Sequence, residues 1–83
     1  MDNAPDSPTF IHRLSALEIH AGSLDSRADS LSLFAGDCER WGLASDACEA
    51  RLRARSHRVD AMMSRARAAA LRAAIGDFGG IEL

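Results

Sequence analysis

Residues 8–36 read PTFIHRLSALEIHAGSLDSRADSLSLFAG, and the spacing of apolar and small side chains in this stretch decides the fold. Phe10, Leu14, Leu17, Ala21, Leu24, Ala28, Leu31 and Ala35 alternate in steps of four and three without a break. An α-helix turns once per ~3.6 residues, so these positions share one face. Their rhythm is that of a helix lying along another helix. Ser7 can cap free N–H groups and Pro8 suits a first helical turn, while Gly36 offers a stop. The spacing therefore predicts a first helix over 8–35, with Gly22–Ser23 a place where it could kink.

Downstream, residues 36–45 read as a bend holding a short helical turn around Glu39–Trp41. Asp46 with Glu49 resembles a capping box, and neither glycine nor proline occurs between there and Ile75. That predicts a second helix over 46–75, with a seam of Leu52, Ser56, Val59, Met63, Ala66, Ala70 and Ala73, again in steps of four and three. Met62 and Met63 can each face inward, which leaves the frame of this seam open. Gly76, Gly79 and Gly80 predict the helix end, with 77–83 a tail and 1–7 a disordered lead. The expected fold class is all-α: a two-helix antiparallel hairpin with a short helical turn at the bend. No stretch has the two-residue period of a strand.

Eighty-three residues allow a single domain, close to the lower size limit for an independent core. The apolar share of 47% is rich in alanine, which buries little area, so a partner or a dimer is expected to complete the hairpin. Residues 1–50 carry nine acids and three arginines, whereas residues 51–83 carry three acids and seven arginines. Two oppositely charged halves lying side by side neutralise one another. Arg51, Arg58, Arg65 and Arg72 recur every seven residues as one stripe. With an overall charge of −2, this stripe reads as hairpin-facing or solvated rather than as a nucleic-acid surface.

Other candidate chemistry is thin. His12, His20, His57, Cys38 and Cys48 lack compact ligand spacing, so no metal and no cofactor is expected. Cys38 and Cys48 read as two reduced thiols near the bend, with a disulfide across it as the alternative. No acid–base–nucleophile set and no phosphate-cradling glycine loop stands out, so an enzyme is not expected. Trp41 has two open roles: a plug for the end of the hairpin against Phe34 and Leu43, or an interface anchor. No apolar run is long enough to span a bilayer, and residues 1–8 lack the pattern of a Sec-type signal.

Trp41–Gly42 in the bend, Phe78-Gly-Gly-Ile-Glu82 near the end, and the run from Ala21 to Leu31 together resemble the WXG100 (ESAT-6-like) proteins of type VII secretion. That family consists of small helical hairpins with a Trp-x-Gly bend and a C-terminal Tyr-x-x-x-Asp/Glu export signal. Here glycine follows the tryptophan directly, and phenylalanine stands in place of the tyrosine. The resemblance implies that Trp41, Gly42, Phe78 and Glu82 form a recognition surface for a secretion machine. Cytoplasmic residence, or export without a Sec-type signal, would then follow.

The function expected is a non-catalytic protein–protein interaction module, with secretion association as its sharper form. One alternative is a phage or bacterial inhibitor or adaptor that binds a larger enzyme through the acidic first helix, by Glu18, Asp25 and Asp29. Another is a structural or chaperone-like subunit of an assembly.

Overall fold

The computed structural model describes residues 7–79, and within them the chain is two α-helices, α1 (Ser7–Arg40) and α2 (Ala44–Gly79). The helices run antiparallel along their whole length. Ala35 and Cys38 cluster with Ala47 and Ala50, and farther along Ala21 and Leu24 cluster with Ala61. The hairpin is long and thin, 60 × 27 × 13 Å across its Cα atoms.

The face of α1 that packs is the one its periodicity predicts. Ala21, Leu24, Ala28 and Ala35 are buried, and Phe10, Leu14, Leu17 and Leu31 are half-buried. The stripe extends one further step of three, to buried Cys38. This step explains why α1 does not stop at Gly36: continuing one more turn seats Cys38 in the seam. Gly22 does not break the helix either, and only Gly42 among the described glycines has a positive φ. A glycine ends a helix when its φ turns left-handed, and Gly22, Gly36 and Gly76 keep the helical sign.

The stop is instead built at Trp41–Leu43. The Leu43 N–H donates to the Cys38 carbonyl at 2.8 Å, and the Gly42 N–H donates to the Glu39 carbonyl at 3.1 Å. With Gly42 at φ 77°, these two bonds make a Schellman motif, which satisfies the last carbonyls of α1. The expected bend of ten residues therefore shrinks to three, and its helical turn is the last turn of α1. The Leu43 carbonyl accepts from the Ala47 N–H at 3.0 Å, so α2 starts before the expected position. Asp46 is left in the first turn, where it favours the helix dipole rather than closing a capping box. At the other end α2 runs past Gly76, taking residues 77–79 out of the expected tail.

The largest departure concerns which face of α2 turns inward. Leu52, Val59 and Met63 of the expected seam are exposed, as are Ser56, Ala66, Ala70 and Ala73. The seam is instead Ala47, Ala50, Ala54, His57, Ala61, Ser64, Ala68 and Leu71, also in steps of three and four. Alanine and serine there allow the backbones to approach closely. Among the described residues Leu24 is the largest of the buried hydrophobic side chains, and no large residue is fully buried. A core of methyl groups releases little apolar area, about 0.8 kcal/mol per buried CH2-sized group, so the hairpin depends on many small contacts.

Candidate interaction surface

The two flanks of the seam differ sharply in charge. Along one, Glu18, Asp25 and Glu39 rise up α1 in multiples of seven, while Arg72, Arg65 and Arg51 descend α2 in the same multiples. Arg72 pairs with Glu18, Arg65 with Asp25 at 2.5 Å, and Arg51 with Glu39 at 2.6 Å. Where this ladder meets Ser32, Arg58 reaches Asp29 at 3.0 Å and also lies 3.9 Å from Asp25. The heptad arginine stripe is thus the counter-surface of the acidic first helix, as the charge pattern predicts. The Arg51 hydrogen bond, reinforced by its charge, lowers the Glu39 pKa against an opposing effect of burial, and Glu39 in turn raises that of Arg51.

This ladder also supplies a reason for the rotation of α2. The four arginines line the seam only when the alanine stripe faces α1; with the leucine–valine–methionine stripe turned inward they would point away. Each exposed pair contributes only about 0.2–1 kcal/mol, but four act in the same direction, and the three-residue connection places Ala47 beside Cys38. Glu18, Asp25 and Asp29, the acids proposed to grip an enzyme, are therefore already engaged within the hairpin.

The opposite flank is cationic and largely unmatched. Arg13 and Arg67 border one shallow groove, and Arg27, Arg53 and His57 border another. Among the described residues Arg13, Arg27, Arg55 and Arg67 make no ion pair, nor do the acids Asp46 and Asp60, whereas Arg53 is held by Glu49 at 2.9 Å.

The outer face of α2 is apolar. Leu52, Val59, Met62 and Met63 are 57%, 47%, 63% and 51% exposed, with Ala66, Ala70 and Ala73 continuing the stripe. The 4–3 period of this stripe matches that of the seam. Its larger apolar side chains made it the expected inward face, because alanine buries less apolar area than leucine or methionine. At the bend, Trp41 is 79% exposed, and Phe34 and Leu43 are also exposed, so Trp41 does not plug the hairpin. Gly42 serves the turn. Phe78 lies within α2, but its side chain and the whole of Glu82 fall outside the described residues.

Cys38 and Cys48 are both free thiols, the first buried in the seam and the second exposed, so the alternative disulfide is not formed. Burial, aided by Asp46 and Asp37, raises the Cys38 pKa. His12 and His20 are exposed, whereas His57 sits half-buried in the seam with its Nδ1 buried and unpartnered. Among the described residues no group of three or more His, Cys, Asp or Glu side chains could hold a metal ion. Among the described residues no helix is long and apolar enough to cross a membrane. The chain matches no protein-family model, no curated protein and no solved structure.

Proposed function

We propose that this chain is a non-catalytic protein–protein interaction module that presents the outer face of α2 to a helical partner. The observation that carries the reading is the exposed stripe of Leu52, Val59, Met62 and Met63 on a hairpin whose internal seam is mostly alanine. Burying these four side chains in a complex would stabilise it by up to ~1.5–3 kcal/mol each, more than any alanine of the seam supplies. Trp41 offers a second anchor at the bend, since a solvent-facing tryptophan is a frequent hot spot. A secretion-associated hairpin is the finer form of this reading, favoured by the exposure of Trp41 where the family resemblance puts its recognition residue. An inhibitor that acts through Glu18, Asp25 and Asp29 would first have to draw these acids from their arginines.

The test is a Val59→Asp/Met63→Asp variant, checked for unchanged helicity and compared with the wild type as bait in extract. Any protein captured is then reconstituted with the purified hairpin. Binding lost in the variant supports the reading, and a folded variant that binds every partner as the wild type does overturns it. Trp41→Ala, assayed for capture and for export, asks whether the bend contributes.

A further inference from the structure

We infer that the occupant of the outer α2 face is the same face of a second copy of this chain, packed antiparallel about a twofold axis to give a four-helix assembly. The hairpin supplies the geometric rule. Ala35 and Ala50 share a cluster, and the residue four on from Ala35, Glu39, pairs with the residue one on from Ala50, Arg51. The same offset can be applied to the outer stripe, with Met63 set beside Val59 of the second copy. Arg67, four on from Met63, then meets Asp60 of the second copy, one on from its Val59. The twofold axis repeats the contact in reverse. Asp60 and Arg67 make no ion pair inside the hairpin, and Arg67 stands on the flank where positive charge is in excess.

The register is selective. Shifting one copy by a heptad in one direction sets Asp60 against Asp60 of the second copy, and in the other direction sets Arg67 against Arg67. Of these three registers only the middle one sets Asp60 against Arg67. It also matches sizes, placing Leu52 against Ala70 of the second copy and Ser56 against Ala66. On the far edge Arg55 lies beside Met62 of the second copy, whose thioether can take the arginine stem. An isologous, self-complementary patch of this kind is what a twofold dimer requires.

The dimer rests on the outer face being the docking surface, and the two can fail separately. The solution mass of the full chain is followed by sedimentation across dilution for the wild type, Asp60→Arg, Arg67→Asp and the Asp60→Arg/Arg67→Asp double variant. The expected result is a wild-type dimer, with each single variant weakened about tenfold. The double variant should regain the affinity, and an equimolar mixture of the two singles should associate better than either alone. A wild type that stays monomeric at every concentration overturns the dimer while leaving capture of another protein through Val59 and Met63 intact. Dimers that ignore both charge variants overturn the antiparallel register. Dimers that also survive Val59→Asp/Met63→Asp overturn the docking face itself.

Discussion

Replacing Ala61 with leucine puts an isopropyl group where the structure has none to spare. Ala61 is 0% exposed and packs against Ala21 and Leu24 at the middle of the hairpin. A close approach of the two backbones leaves room for a methyl there, so the added carbons must push the helices apart or force strained rotamers. Overpacking of this kind costs about 1–3 kcal/mol. Separation would also stretch the flanking Arg65–Asp25 and Arg58–Asp29 pairs, worth about 0.2–1 kcal/mol each. Small domains have urea m-values starting near ~1 kcal/mol/M, so the midpoint should fall by roughly 1–3 M. The assay is urea unfolding followed by circular dichroism, at a concentration where sedimentation shows the monomer. Val59→Ala, on the outer face, serves as the comparison and should move the midpoint by less than about 0.5 M under the same conditions. A rise in the midpoint with Ala61→Leu, together with a large fall with Val59→Ala, would refute the alanine seam and restore the larger side chains to the core.

Three further outcomes follow from other parts of the hairpin. Glu39 has a lowered pKa in the folded chain, so its pairing contributes fully above the ordinary carboxylate range and is lost as pH falls through the lowered value; urea midpoints measured down through acid should show a step that Glu39→Gln reduces. Gly42→Ala should cost about 1–2 kcal/mol, because its φ of 77° is left-handed, whereas Gly22→Ala, with nothing within 4 Å of the added carbon, should gain about 0.5–1 kcal/mol in thermal unfolding. Cys48 should react with a thiol reagent in the native chain, and Cys38 should react only as fast as the hairpin opens; equal native rates would contradict the burial of Cys38.

The amino-acid sequence by itself determined the hairpin, the inward face of α1 and the partnership between the acidic first half and the arginine heptads. Each of these is a matter of period: apolar side chains in one unbroken 4–3 stripe have only one face to offer, and charges recurring every seven residues keep station beside it. The inward face of α2 was not legible in this way, because two stripes with the same period coexist there. One is small, through Ala47, Ala54, Ala61 and Ala68, and the other is bulky, through Leu52, Val59 and Met63. Hydrophobic content alone favours the bulky stripe. Tertiary structure decided otherwise, for reasons that involve both helices at once: the Schellman turn at Gly42 sets where α2 begins, and the arginine ladder meets its acids only when the alanines face in. The exposed stripe that forms the candidate interaction surface is what that choice leaves outside.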